Sequence, residues 1–213
     1  MPLHVPPGRT GRLWLRERLV VAERAADVLE QKRRVLLTQS QQLRHLAEET
    51  RGTWQDACRL AETWHLRAAL LGGEDQFQAA SAGLAGPVQA RIAWRSTMGL
   101  AYPADSACLL PDAISVAGIA GTAALRYAID AHRAALVAAV AHGAAQRAAD
   151  LVTNELEATT RRLRAIERRW IPRLETGLHD VERRLDERER EDAVRARWAQ
   201  DRLEAAGRGP SPG

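Results

Sequence analysis

Aromatic side chains are scarce in this chain of 213 residues: they make up 4% of it, and Phe77 is the only phenylalanine. A round core built on rings is excluded on that count alone. Lysine is scarcer still, with Lys32 the sole example beside thirty arginines. The two cysteines, Cys58 and Cys108, make no CxxC or other ligand spacing. That excludes a dithiol redox motif or zinc knuckle and predicts two reduced, inert thiols in a cytosolic protein. Long apolar runs are missing too. Residues 113–125 are apolar but fall short of the roughly 20 residues that span a bilayer, and Ser115, Gly118 and Gly121 interrupt them. Residues 1–12 carry prolines and arginines without an apolar centre, so no secretory signal is read there. A soluble protein is expected.

The motifs of chemistry are lacking as well. No glycine loop ends in GK[ST]; Gly118-Ile119-Ala120-Gly121 is a fragment without the strand-to-helix setting a phosphate loop needs. The six histidines are scattered, with no HExxH and no histidine pair four residues apart. There is no GxSxG elbow. The expectation is therefore no catalytic residue, no cofactor and no metal.

What the chain does have is charge of both signs. Charged residues are 27% of the total, yet the net charge is only +4. The high pI of 9.8 partly reflects guanidinium groups that never deprotonate. The plainest account of the arginine excess is biased codon composition. Acidic residues interleave with the arginines, as in Glu187-Arg188-Glu189-Arg190-Glu191, so no wide single-sign field builds up for a polyanion. Abundant alanine with dense mixed charge is the profile of long, surface-rich helices.

Periodicity supplies the architecture. Residues 1–9 hold three prolines and a glycine and read as a disordered or extended lead-in, with Thr10 a plausible N-cap. No proline occurs between Pro7 and Pro87, and Gly72-Gly73 is a natural stop, so one helix is expected over 10–72. At 1.5 Å per residue it would be about 90 Å long, a length that suggests a coiled coil. Residues 73–112 turn rich in Gly, Ser, Pro and Ala. Strands are expected over 88–94 and 106–110, with Gly99 and Pro103 between them, as a small hairpin or irregular knob. A second helix follows over 113–205, weakened by Gly118, Gly121 and Gly143 and kinked or locally unbonded at Pro172. Residues 206–213 read as a disordered tail. The fold class is all-α: a long antiparallel two-helix coiled coil with a small central β-hairpin knob.

The seam can be read directly. On the first helix it takes Leu15, Leu19, Leu29, Leu36 and Leu43, with Ala22, Ala26, Leu46, Trp54, Ala57, Ala61, Trp64 and Ala68 on the same pattern. On the second it takes Leu156, Leu163, Ile166, Trp170, Leu174, Leu178, Val181 and Leu185, at steps of 7, 3, 4, 4, 4, 3 and 4. Such a narrow stripe calls for one partner helix. The block 186–192 reads as a solvated face with ion pairs worth about 0.2–0.5 kcal/mol each, or as a charged surface that meets a charged partner. Trp170 and Trp198 read as seam residues or partner anchors rather than stacking platforms for bases.

The runs Arg161-Arg162-Leu163, Ala165-Ile166-Glu167, Ile171-Pro172-Arg173-Leu174-Glu175 and Leu185-Asp186-Glu187-Arg188-Glu189-Arg190-Glu191 closely resemble the signature of the D subunits of V-type and A-type (archaeal-like) ATPases. That family's pattern reads approximately RRVNALE, IPRLE and LDERERE in the same order. Val28-Leu29-Glu30-Gln31-Lys32-Arg33-Arg34-Val35-Leu36 is similar to the family's LLKxKRDxL, and Thr97-Met98-Gly99-Leu100-Ala101-Tyr102-Pro103 to its MGV-x-x-P stretch. The resemblance touches both helices and the knob. Glu30, Arg34, Ala25 and Arg164 depart from the pattern, which alters charge at the seam's edge.

The resemblance implies a non-catalytic rotor part: the central shaft of a rotary ATPase, carrying torque between A and B subunits, where ATP is made or hydrolysed, and an ion-translocating membrane ring. It further implies contacts with the A and B subunits, with a small companion (the F subunit) and with a socket protein above the membrane ring. It implies a cytoplasmic location attached peripherally to the membrane, without insertion into it, and no nucleic-acid partner. The half with both termini is expected to enter the A/B hexamer, and residues 55–145 to meet the companion and socket. Partner-contact candidates are Lys32, Arg33, Met98, Gly99, Pro103, Arg161, Arg162, Glu167, Pro172, Arg173, Glu175, Asp186, Glu187, Arg188, Glu189 and Arg190. The competing reading is a free-standing coiled-coil scaffold or prefoldin-like chaperone, which would assemble with itself.

Overall fold

The long first helix, α1, runs Gly8–Gly72 in the computed structural model of the chain, which describes residues 4–82, 87–111 and 122–207. Its phase is a strict alternation of four and three: Leu15, Leu19, Ala22, Ala26, Leu29, Arg33, Leu36, Ser40, Leu43, Ala47, Thr50, Trp54, Ala57, Ala61, Trp64, Ala68. Every one of these is buried or half-buried. Leu46, expected on the same stripe, lies off that phase and is exposed. A repeat of 3.5 residues keeps one face against a partner helix.

α1 ends where its glycines require. Gly73 takes a φ of +72° and its N–H returns to the Ala69 carbonyl at 2.9 Å, a left-handed cap that a β-carbon would strain. At the other end the helix starts at Gly8, two residues before the expected Thr10 cap. The residues ahead of it do not trail away: Val5 packs with the Leu15 cluster. A β-carbon at Gly11 would collide with the Pro6 carbonyl, so the lead-in folds back over the first turn only because Gly11 has none.

A short helix that the sequence did not announce, α2 (Asp75–Ala82), follows the turn. Then come β1 (Gln89–Thr97) and β2 (Leu100–Leu109), paired antiparallel. Thr97 pairs with Leu100, so the loop is Met98-Gly99, both with positive φ (51° and 79°). That is the signature of the tight hairpin turn whose twist matches the strands. Pro103, expected between the strands, lies inside β2 opposite Trp94, next to an irregularity at Ala93/Trp94. The strands are longer than expected because the hairpin closes at Met98-Gly99 rather than across 95–105.

The second long helix is expected to be continuous over 113–205. Residues 112–121, with the Gly118–Gly121 fragment, lie outside the described residues, as do 1–3, 83–86 and 208–213 of the lead-in, knob and tail. The described part comprises α3 (Ala123–Ala165), a π-helical turn (Ile166–Trp170) and α4 (Ile171–Gly207). The architecture is all-α with one small two-stranded sheet.

The chain divides into two compact units, Met1–Gln31 with Thr160–Gly213, and Lys32–Thr159. In the second, a central cluster of Leu36, Leu43, Ala47, Ala145, Ala148, Ala149 and Val152 also takes Tyr102 of β2, which is 2% exposed. Tyr102 pins the hairpin to the helix pair. Further clusters join Ala61 with Ala131 and Ala135, and Ala68 with Ala124, Leu125 and Ala128. In the first unit, Leu15, Ala22 and Leu174 are ringed by Trp14, Leu19, Ile166, Ile171, Leu178 and Val181.

Candidate functional site

Within Lys32–Thr159, pairings run in opposite directions along the chain. Lys32 Nζ meets Glu155 Oε1 at 2.6 Å, Ser40 Oγ meets Thr153 Oγ1 at 3.1 Å, and the Trp54 ring stacks on His142 at 5.4 Å. The helices are therefore antiparallel. In the other unit Arg16 pairs with Glu182 at 2.7 Å and Arg9 with Glu189 at 3.2 Å, again antiparallel.

The seam on α3 keeps the same 3.5-residue beat through Ala128, Ala131, Ala135, Ala138, His142, Ala145, Ala149, Val152, Leu156, Thr159, Leu163 and Ile166. There it breaks. The next seam residue is Ile171, five on instead of four, and the beat resumes at Leu174, Leu178, Val181 and Leu185. The π-turn absorbs the one extra residue: the Ile171 N–H donates to the Ile166 carbonyl, a five-residue step. Pro172 is the local cause. In a continuous α-helix its ring would press on the carbonyl four residues back and it has no N–H to give, whereas a widened turn accommodates both.

This corrects one expectation. Trp170, placed in the seam by its spacing, is 39% exposed, and Ile171 takes its position. Of the other seam candidates, Leu15, Leu36, Leu43, Leu163 and Leu174 are buried, while Leu19, Leu29, Leu156, Ile166, Val181 and Leu185 are half-buried.

The motif residues separate by environment. Lys32 and Arg33 are half-buried beside the seam, and Pro103 is buried under the hairpin. Met98 and Gly99 form the exposed hairpin tip, and Arg161, Arg162, Glu167, Pro172, Arg173 and Glu175 lie exposed around the π-turn. Asp186, Glu187, Arg188, Glu189 and Arg190 are exposed on α4, where Glu189 is tied across to Arg9. Trp198 is 70% exposed, on a surface rather than in the seam. Lys32 and Arg33 are neighbours on α1, the 161–175 set is spread along the helix on either side of the π-turn, and Met98 and Gly99 form the hairpin tip.

Sequence reasoning missed the polar layer inside the seam. Ser40 and Thr50 fall on the four-three beat, so carrying that beat through polar residues would have found them. His142 falls on the beat of α3 as well, whereas Thr153, the partner of Ser40, and Glu155, the partner of Lys32, became visible only through those pairings. Thr159 is fully buried and its hydroxyl lacks a hydrogen-bond partner. At the far end of the Lys32–Thr159 unit, His65 lies 4.4 Å from the Phe77 ring and 5.7 Å from His132, by ring centres. Burial, and then the charge of His65, hold the His132 pKa below its ordinary value. Gln76 is buried there, its amide donating to the Ala68 carbonyl and accepting from the Thr122 hydroxyl at 3.3 Å.

Among the described residues no group of three or more His, Cys, Asp or Glu could hold a metal ion, and no helix is long and apolar enough to cross a membrane. Cys58 and Cys108 are free and half-buried.

Paired antiparallel helices, a heptad seam with a polar layer and one pinned β-hairpin define a coiled-coil protein. A family model describing the D subunit of ATP synthase matches residues 13–201, and the chain belongs to that family. It is 30% identical to the A-type ATP synthase D subunit of Methanopyrus kandleri, across 94% of this chain and 87% of that protein. The V-type ATP synthase D subunit of Anaeromyxobacter dehalogenans is also 30% identical, across 89% and 92%. The A-type D subunit of Halobacterium salinarum is 26% identical, across 94% and 91%.

Proposed function

We infer that this chain is the central-stalk (rotor) component of an A/V-type rotary ATPase, coupling ATP hydrolysis or synthesis to ion translocation. The observation that carries the reading is membership of the D-subunit family over nearly the whole chain, on helices closed by a heptad seam. A torque shaft needs stiffness along its length, which such a seam supplies. Its surface must also differ from side to side, because a rotationally uniform axle could not tell successive catalytic sites apart.

In this reading the ATP chemistry belongs to the A and B subunits and the chain is not catalytic. The unit made from residues 1–31 and 160–213 enters the A/B hexamer. Residues 55–145, with the hairpin, meet the F subunit and the socket protein. The complex holds the chain at the cytoplasmic side of the membrane without insertion. Exposed pairs such as Arg183–Asp180 and Arg195–Glu191 are the weak, reversible kind. Each contributes on the order of 0–1 kcal/mol, so contacts of this type can break and re-form at every step.

Mild co-purification from cells tests this: A, B and F homologues are expected in the eluate, and recovery of none of them overturns it. Sedimentation gives a second check. A shaft sediments as a monomer that takes up one smaller partner, whereas a self-assembled oligomer points to a free-standing scaffold.

A further inference from the structure

The helix α2 has only eight residues, and isolated helices below about 12–15 residues are marginal in water. It persists by docking, and two of its side chains do most of that. Gln76 is buried, joined to the Ala68 carbonyl of α1 and to the Thr122 hydroxyl, which itself accepts the Leu125 N–H at the start of α3. Gly72 leaves room for it, since a β-carbon there would collide with the Gln76 amide. Phe77 packs with Ala80 over Ala68, Leu125 and Ala128, and its ring lies 4.4 Å from that of His65 on α1. His65 in turn meets His132 of α3, ring centres 5.7 Å apart and planes at 88°. Three helices thus converge on two imidazoles and one phenyl ring.

We propose that His65 and His132 form an acid-release latch for α2: charging both rings frees Phe77 and undocks Asp75–Ala82, while the rest of the Lys32–Thr159 unit stays closed. The charged side chains within three residues of His65, Phe77 or His132 are Glu62, Arg67, Glu74, Asp75, Asp130 and Arg133. Among the described residues none of them makes a hydrogen bond or ion pair with either imidazole. Arg67 lies over Trp64, and Arg133 donates to the Pro111 carbonyl at 2.9 Å. A first proton on His65 is tolerated, because the face of Phe77 attracts a cation. A second, on His132, sets two positive charges against each other with no carboxylate bonded to either. Burial, and then the charge of His65, already hold the His132 pKa below 6.5. The docked state is therefore the neutral one, fully held above about pH 6.5 and loosened as pH falls through the lowered value. The latch does not depend on the rotor reading. Where that reading holds, it lies within residues 55–145, and acid changes what that stretch presents to its partners.

Hydrogen exchange of the full chain, read by mass spectrometry and corrected for the intrinsic rate, tests the latch. Protection of residues 75–82 is expected at about pH 7.5 and its loss at about pH 5, while peptides around Leu43 and Val152 keep theirs. His132→Gln and, separately, His65→Phe should hold 75–82 protected at the lower pH, because neither leaves two charges to repel. Loss at the lower pH in either variant, from a helix protected at the higher pH, overturns the proposal. So does loss across the whole Lys32–Thr159 unit, or no loss in the unmodified chain. Should both variants leave 75–82 unprotected at about pH 7.5, packing rather than charge holds the helix and the latch is likewise overturned. If only one of them disturbs α2 there, the other decides. The rotor reading is untouched by each of these results, since it stands or falls by co-purification.

Discussion

Between Lys32 and Thr159 the buried positions are mostly alanine: Ala47, Ala61, Ala68, Ala128, Ala131, Ala135, Ala145, Ala148 and Ala149. In the unit of residues 1–31 and 160–213 the fully buried side chains are Leu15 and Leu174, with isoleucine, leucine and valine packed around them. The two regions share one beat and solve the packing differently. Small side chains allow two helix backbones to approach closely but leave little apolar area per residue. Their register is fixed instead by polar partners such as Lys32–Glu155 and Ser40–Thr153. Large side chains provide area, and that area tolerates an interruption such as the π-turn.

The contrast can be broken from either side. The largest effect is expected at Leu174→Ala: removing a fully buried side chain from the large-residue seam should cost about 2–5 kcal/mol, read by urea denaturation. Deleting Trp170 removes the extra residue and would let the helix run on in α form with the seam intact. Pro172 would then sit inside an α-helix, at a cost of about 3 kcal/mol. Adding Pro172→Ala to the deletion should restore stability, and protection of residues 166–172 in hydrogen exchange checks the repair.

On the small-residue side the sign of the size change reverses. Ala148→Leu, at a position 1% exposed, should cost about 1–3 kcal/mol by overpacking, again read by urea denaturation. Lys32→Ala should cost about 1 kcal/mol by the same measurement, because the pair with Glu155 is only partly shielded from water. The smallest effect concerns pH. The folded pKa of His132 is held below its ordinary 6.5, so the fold favours the neutral ring. That contribution is complete above about pH 6.5 and fades as pH falls through the lowered value. His132→Gln should flatten the dependence of the melting temperature on pH in that window.

Much of this was legible in advance, for identifiable reasons. The alternation of Leu15, Leu36 and Leu43 with small residues marks a seam whichever partner it meets. Gly72-Gly73 marks the end of the first helix, where Gly73 takes a positive φ. The tight turn at Met98-Gly99 was legible only as a looser connection across 95–105, because a methionine at positive φ carries no local signal. Family motifs at 161–175 and 185–191 pointed to the same assignment that the match over 13–201 establishes. The π-turn was not legible. Three successive steps of four, Ile166 to Trp170 to Leu174 to Leu178, fit a slightly unwound continuous stripe as well as an inserted residue, and only backbone hydrogen bonding separates the two. Tyr102 was missed for another reason. Its burial depends on helices distant in sequence from the hairpin, and no local pattern encodes that. The helix Asp75–Ala82 is too short to show a period.

An unbroken seven-residue repeat winds a helix pair left-handed, and the seam between Lys32 and Thr159 keeps that repeat throughout. A twist applied in the sense of the winding draws such a pair tighter, and the opposite twist begins to part it. Used as an axle, this stretch resists turning unequally in the two directions. Clockwise and anticlockwise loading should thus give different spring constants.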